Sequence, residues 1–243
     1  MKEKRRGKTR GQRIMLCVAV ILLISGLCVL FYPTVVNLAY QSEVSKIKED
    51  FLKNIARQEG ESQTLPDTQF DRLYAFLQEE NRKLFENGQS GLTDAFSYEQ
   101  PAVDFSEYGL TDNCIGFISI PRIGQELPIY LGASRANMKK GAVHLTQTSY
   151  PIGGGNTNCV IAAHRGGTQT MFRNIHKIQI GDRITITNFR ETLTYQAVEI
   201  KIIKPNEIDQ ILIQEGRDLL TLISCNPLGY NYQRYVLYCE RVT

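Results

Sequence analysis

The sequence contains no tryptophan, only three histidines and no C-x-x-C pair among its 243 residues. Because histidine and cysteine do not recur at a metal-ligand spacing, we predict no metal site and expect no cofactor. Glycine and proline, at 19 and 8 residues, are too few for a collagen-like or low-complexity chain, and a hydrophobic share of 42% excludes a wholly disordered one. The sequence therefore predicts a globular part with a sizeable core.

A basic excess is also absent beyond the first 13 residues. Residues 1–13 carry seven of the 28 Lys and Arg and one of the 25 Asp and Glu, a net charge of +6. The rest of the chain keeps 21 basic and 24 acidic residues, a net charge of −3. This sign change gives no reason to expect nucleic-acid binding by the folded part. The basic residues form a tail.

An uncharged run of 23 residues, Ile14 to Val36, follows the tail. At about 1.5 Å per residue it can cross a hydrocarbon core of about 30 Å. A cleaved signal peptide is the alternative, but it fits poorly, because its apolar region would be only ~7–15 residues long and would end in an A-x-A-like site. We therefore expect a retained single-pass anchor in the cell membrane. The positive-inside rule places the N-terminus in the cytoplasm and the remaining chain outside.

Beyond the span, hydrophobic periodicity divides the chain into three parts. Apolar residues recur every three or four positions on either side of 60–66, which predicts two short amphipathic helices in a hairpin-like arrangement. No clean period follows in 90–113, which indicates a loop. At least seven strand-like runs follow, which predicts a mostly β fold, a barrel or sandwich with short helices. The predicted segments are a tail at 1–13, a span at 14–36, a helical extension at 37–89, a linker at 90–113 and a β domain at 114–243.

Two of the six cysteines lie in the predicted span, and four lie in the β domain: Cys114, Cys159, Cys225 and Cys239. Cys159 and Cys239 are inside strand-like runs, so we expect plain core thiols. A disulfide between Cys114 and Cys159 is an alternative that the sequence does not exclude. Cys225 differs, because it follows a strand-like run and precedes an Asn-Pro-Leu-Gly turn, where a thiol can be exposed enough to react.

Three residues with complementary chemistry stand at predicted strand ends: His164, Cys225 and Arg234. A thiolate nucleophile needs an imidazole to exchange protons and a fixed cation to stabilise a developing oxyanion. Each residue alone is more often structural, but the three together favour nucleophilic catalysis. We expect the other two histidines, His144 and His176, to be structural. A supporting role for His144 beside the site is the alternative.

The segment TLISC, Thr221–Cys225, resembles the TLxTC signature of sortases, with Ser224 in place of the usual threonine. His164 and Arg234 fall where that family has its catalytic histidine and arginine. GGGNTNCVIAAHRG is similar to the family's histidine segment, and IGFISIPRIGQELPIYLGAS is similar to its first two strands. The resemblance implies a closed sortase-type β-barrel with Cys225, His164 and Arg234 as catalytic residues. It also implies that Thr221 and Ser224 contribute to substrate binding.

Within the family, the pilin-polymerising class C has the most similar pattern, because it combines a helical N-terminal extension with a lid of the type Asp-Pro-Trp/Phe. The corresponding residues here are Asp94, Ala95 and Phe96. The resemblance implies that Asp94 contacts Arg234 and that Phe96 covers Cys225. Two features depart from the class: Ala95 replaces proline, and the C-terminal membrane span common in that class is not found. An ordinary polar loop is the alternative to a lid.

The resemblance implies transpeptidation of an LPxTG-like sorting signal through a thioester on Cys225. The expected partners are the membrane and pilins or surface proteins that carry such signals at their C-termini, with a lysine of another pilin as acceptor. Two alternatives stay open: an anchoring sortase of another class, which uses a cell-wall precursor amine and no lid, and a non-enzymatic β-domain tethered to the membrane.

Overall fold

The computed structural model describes residues 10–62, 68–98, 104–167 and 169–242. Parts of the predicted tail, of the boundary between the two helices and of the linker lie outside these ranges. Three α-helices are present in the described residues: α1 (Arg10–Ser62), α2 (Gln69–Glu86) and α3 (Arg135–Lys140).

Helix α1 runs without interruption through the predicted boundary between span and extension. It continues past Pro33 and ends at Ser62, so the prediction of a short first helix was wrong. Proline in a helix interior removes one hydrogen bond, but the long flanking turns keep the helix intact. An 18-residue window of α1 has a mean hydropathy of 3.1, and none of it is buried inside the protein. The helix is thus long and apolar enough to cross a membrane, as predicted for a membrane anchor.

Helix α2 begins with a reciprocal cap. The Thr68 hydroxyl accepts a hydrogen bond from the Asp71 backbone N–H, while the Asp71 carboxylate accepts one from the Thr68 N–H. One face of the helix buries Phe70, Leu73 and Leu77, as the apolar period predicts.

Eight strands form a closed barrel in the order β1-β2-β3-β4-β7-β8-β6-β5. Their bounds are β1 (Cys114–Ile120), β2 (Gln125–Leu131), β3 (Ala142–His144), β4 (Thr157–Ala162), β5 (Arg183–Asn188), β6 (Thr192–Ile203), β7 (Asp218–Asn226) and β8 (Gln233–Val242). The closed barrel confirms the predicted fold class. In the first half of β6, buried and less buried residues alternate, as expected for a strand with one face in the core.

One parallel and one antiparallel strand pairing position the site. Strand β4 is parallel to β7, with Ala162 opposite Ile223, and β7 is antiparallel to β8, with Cys225 opposite Arg234. The last residues of β4 and β7 and the first of β8 therefore lie at one end of the barrel, which we call the site end. The second parallel pairing, β2 with β3, involves the three-residue β3, which the sequence patterns do not reveal.

The short helices predicted in the β domain are shorter in the structure than predicted. Residues 134–141 contain α3, but the two other segments form only 3-10 turns, Ile175–Lys177 and Ile208–Ile211. Cys114, Cys159 and Cys239 are buried, and none of the cysteines in the described chain is in a disulfide. The open question about Cys114 and Cys159 is thereby answered by two free thiols.

Candidate active site

Cys225 and Arg234 face each other across the β7–β8 ladder. The Arg234 Nη1 lies 4.0 Å from the Cys225 Sγ, and the guanidinium is almost fully buried, with 5% of its side chain exposed. Nη1 also donates to the backbone carbonyls of Asn231 and Gln233, at 2.7 and 2.9 Å. These bonds fix the direction of the cation beside the partly exposed thiol.

His164 lies two residues beyond β4 and is held next to the end of β7. The Ala163 N–H donates to the Ile223 carbonyl at 3.3 Å, and the Ser224 hydroxyl donates to the Ala163 carbonyl at 2.6 Å. An open groove of about 500 Å³ at the site end is lined by residues 164–167, Cys225 and residues 229–231. The imidazole and the thiol therefore share one groove.

Asp94 reaches the same guanidinium from a segment 140 residues earlier in the chain. Its Oδ1 accepts from the Arg234 Nε at 2.7 Å and its Oδ2 from Nη2 at 2.6 Å. Such a bidentate pair is a strong form of charge-assisted hydrogen bonding. Nε and Nη2 are thus occupied, and the remaining nitrogen, Nη1, is the one nearest the thiol.

Phe96 lies against two of the three candidate groups. Its ring centroid is 6.3 Å from that of His164 and 4.8 Å from the Arg234 Cζ. The neighbouring Ala95 is fully buried. Asp94 caps the 3-10 turn Ala95–Ser97 by accepting from the Phe96 N–H, so its one carboxylate holds both the turn and the arginine.

The segment that carries Asp94 is attached to the barrel on both sides of the turn. Before it, Gln89 bridges the Gln147 carbonyl and the Ile213 N–H, at 3.1 and 2.6 Å. After it, the Arg135 guanidinium stacks over the Tyr98 ring, 4.5 Å from the centroid. The described residues of this segment therefore form an ordered strap across the site end, and we name residues 89–98 the strap.

The strap changes the protonation of the site. Burial raises the pKa of the Cys225 thiol above its ordinary value, Arg234 opposes this, the Asp94 carboxylate adds to it, and Arg165 opposes it weakly. Burial lowers the pKa of His164. For Arg234, burial lowers the pKa, but the hydrogen bonds and charge of Asp94 outweigh it and raise the pKa overall. At neutral pH the closed site therefore favours a neutral thiol and a neutral imidazole in the same groove.

Arg165 was missed by the sequence analysis. Its Nη1 donates to the Asn226 Oδ1 at 2.6 Å and lies 3.3 Å from the Cys225 carbonyl oxygen, while its guanidinium lies 5.2 Å from the Tyr235 ring centroid. Only 7% of the residue is exposed, and its Nε has no hydrogen-bond partner. A second cation thus holds the end of β7. Its position directly after His164 was the available signal.

Thr221 and Ser224, predicted to bind substrate, are fully buried. The Thr221 hydroxyl donates to the Asn158 Oδ1 at 2.7 Å, and the Ser224 hydroxyl holds the histidine segment as described above. Both side chains brace the barrel interior, and their contribution to substrate binding stays a prediction. The Ser224 hydroxyl connects them to the site through the Ala163 carbonyl.

The two other histidines lie outside the groove. His176 is exposed in the 3-10 turn Ile175–Lys177, and His144 is fully buried, with Nε2 3.0 Å from the Ser149 carbonyl oxygen. Burial lowers the pKa of His144 to about 4. No group of three or more potential metal ligands occurs in the part of the chain that the structure describes.

The fold and the site define a closed β-barrel with a thiol, an imidazole and a guanidinium gathered at one end. Residues 118–242 match the family model of the sortase domain. The chain belongs to the sortase family, whose members are cysteine transpeptidases that act on surface proteins, such as pilins, bearing sorting signals. The predicted resemblance is thereby confirmed.

Three similar proteins are informative. Sortase D of Bacillus subtilis strain 168 is 31% identical over 136 residues, which cover 55% of this chain and 66%, just under two thirds, of that relative. The structure of a pilus-related sortase C of Group B Streptococcus has a TM-score of 0.68 at 33% identity and covers 79% of this chain and 96% of its own. The structure of a lid mutant of Streptococcus agalactiae sortase C1 has a TM-score of 0.65 at 30% identity. The match covers 78% of this chain and 97% of the mutant's chain.

Proposed function

We propose that this protein is a membrane-anchored, lidded sortase that joins pilin subunits. The observation that carries the proposal is the bidentate pair between Asp94 and Arg234, because it connects a strap N-terminal to the barrel with the arginine beside Cys225. The similarity to pilus-related sortase C structures, one of them a lid mutant, supports the same class. In this proposal the strap is the lid, with Asp94 and Phe96 as its anchors.

The first half-reaction forms a thioester. After the strap opens, the Cys225 proton passes to His164, and the thiolate attacks the threonine carbonyl carbon of an LPxTG-like signal. Arg234, freed from Asp94, stabilises the oxyanion with a fork that stays charged. His164 then protonates the glycine amine as the Thr–Gly C–N bond breaks.

The second half-reaction transfers the acyl group. A lysine amine of another pilin attacks the thioester carbonyl and loses a proton to His164, and the Cys225 thiolate leaves as the new amide forms. We propose that α1 anchors the protein with its N-terminus in the cytoplasm, because the basic residues precede the span. The barrel then works outside the cell, where exported pilins meet it.

A peptide-transfer assay tests the proposal. The full chain in detergent is incubated with an LPxTG-type peptide, and mass spectrometry seeks a thioester adduct on Cys225. A lysine-bearing pilin peptide and a cell-wall precursor amine are then compared as acceptors, with Cys225→Ala as the blank. We expect the adduct and faster transfer to the lysine. Faster transfer to the precursor amine would indicate an anchoring sortase, and peptide binding without an adduct would indicate a non-enzymatic domain.

A further inference from the structure

The route of α1 along the barrel identifies which end of the barrel is nearer the membrane. Asn37, one residue after the uncharged run, accepts a hydrogen bond from the Thr170 hydroxyl at 3.0 Å, and the same hydroxyl lies 3.1 Å from the Gln125 Oε1. Further along the helix, Phe51 packs against Phe117, with ring centroids 5.5 Å apart. Asn37 therefore lies where α1 leaves the apolar span.

Strand register places Gln125 and the site at the same end. Gln125 pairs with Ile120 at the end of β1, and the antiparallel pairing of β1 with β5, from Gly116 with Asn188 to Ser119 with Thr185, brings the end of β1 toward the beginning of β5. Arg183 at the start of β5 pairs with Gln196, beyond which β6 continues until Ile203 pairs with Arg234. The site end of the barrel is therefore the end at which α1 emerges from the span.

The same end carries the exposed apolar surface of the barrel. In the described part of residues 114–242, six large apolar or aromatic side chains are exposed: three in the β7–β8 turn at the site end, two on the second half of β6, which ends opposite Arg234, and one just before β5. They are Ile180, Ile200, Ile202, Leu228, Tyr230 and Tyr232, and we call them the apolar rim. Tyr230 and Tyr232 are 65% and 60% exposed, and their ring centroids are 6.0 Å apart. Tyr230 also lines the groove of Cys225, and exposed apolar side chains grouped beside such a groove mark an interaction surface.

We propose that the apolar rim docks on the lipid headgroup region, so that the groove of Cys225 opens at the membrane surface. Tyrosine prefers this interface, because its ring is apolar and its hydroxyl stays hydrated. The hydrogen bond from Thr170 to Asn37 places the site end of the barrel at the helix position where the span ends. The inference rests on the membrane anchor proposed above, and the occupant is the bilayer on which that anchor is inserted.

The absence of tryptophan allows a direct test. The full chain is reconstituted in phosphatidylcholine vesicles as single-tryptophan variants, with nitroxide lipids that quench at either the headgroup level or deep in the acyl chains. Tyr230→Trp and Ile180→Trp report on the rim. Phe85→Trp is the matched control, because Phe85 is also partly exposed and lines a cavity with residues 153–157 at the opposite end of the barrel. Phe31→Trp reports on the span.

We expect both rim reporters to lose about half of their emission or more with the shallow quencher, because interfacial side chains lie within roughly 5–10 Å of the headgroup boundary. Phe85→Trp should be unchanged, and Phe31→Trp should respond to the deep quencher. If Phe31→Trp responds but neither rim reporter does, the docking is wrong while the anchor stands, as when a protein partner covers the rim. Equal quenching of the rim reporters and of Phe85→Trp would also refute the docking of the rim on the membrane. No quenching of Phe31→Trp refutes the anchor itself.

Discussion

The pair between Asp94 and Arg234 makes the lid measurable. The two side chains are 15% and 5% exposed, so their hydrogen bonds are shielded from water. Hydrogen bonds to charged groups contribute about 1.5–3 kcal/mol. Opening the strap gives up this contribution, and Asp94→Ala removes it from the closed state alone. We therefore expect the open fraction to rise about 10- to 150-fold, since 1.36 kcal/mol corresponds to tenfold.

The assay is the rate of Cys225 alkylation by a bulky maleimide in the full chain in detergent. Cys17 and Cys28 are exposed on α1, so both are replaced by serine, whereas the other cysteines are buried. If the open state is the minor one, the alkylation rate follows the open fraction. Adding Phe96→Ala removes the ring that contacts His164 and Arg234 and should accelerate alkylation further.

A pH series separates opening from chemistry. The Asp94 carboxylate raises the pKa of Cys225, so Asp94→Asn should move the rise of the alkylation rate to lower pH, since more thiolate is present at any given pH. Asp104→Ala is the matched control, because Asp104 is exposed and accepts a hydrogen bond from Ser106 within the same linker. Equal rates for wild type, Asp94→Ala and Asp104→Ala would refute the lid and favour an open, anchoring-type sortase.

Four further outcomes are expected. Cys225→Ala should abolish peptide transfer with an unchanged melting temperature, whereas Cys159→Ala should keep transfer and lose only stability. Peptide transfer by Cys225→Ala would show that Cys225 is not the nucleophile. Arg234→Lys should lower kcat about 100-fold or more, because lysine lacks the planar fork, and near-normal kcat would contradict this. Ala95→Pro should slow alkylation about two- to fivefold, since proline restricts the open strap and Asp94, at ψ 134°, has the conformation a residue before proline needs; an equal or faster rate counts against it. The free energy of unfolding should decrease as the pH is lowered from 6.5 to about 4, because the unfolded chain takes up a proton that the buried His144 excludes. In denaturant titrations, His144→Gln should reduce this dependence on pH.

Local patterns in the sequence were sufficient for the span and most strands. An uncharged run of 23 residues needs no tertiary partner to be recognised, because its length is set by the bilayer. Period-two alternation likewise predicts β5 and the first half of β6. The positions of Cys225 and Arg234 near strand ends followed from the turn residues between them. These features depend on neighbours within a few residues.

Other features required the tertiary structure. Strand β3 has three residues and exists because β2 and β4 flank it, so it leaves no periodic signal. The continuity of α1 past residue 36 depends on packing against the barrel, whereas the sequence shows only a change from apolar to amphipathic pattern. The burial of Thr221 is likewise a tertiary result, because the alternation of a strand does not tell which of its faces is covered by the barrel interior.

The candidate active site likewise has features that the sequence predicts and features that only the tertiary structure shows. The sequence by itself determined that a thiol, an imidazole and a guanidinium stand at strand ends, because turns and apolar runs mark those ends locally. The resemblance to a known family already implied that Asp94 contacts Arg234, but only the tertiary structure decided that the contact is a bidentate pair with Nε and Nη2, and that Arg165 supports the end of β7. Such contacts form when distant segments close on one another. Their free energy depends on burial and on the register of the whole barrel, which no local window of sequence contains.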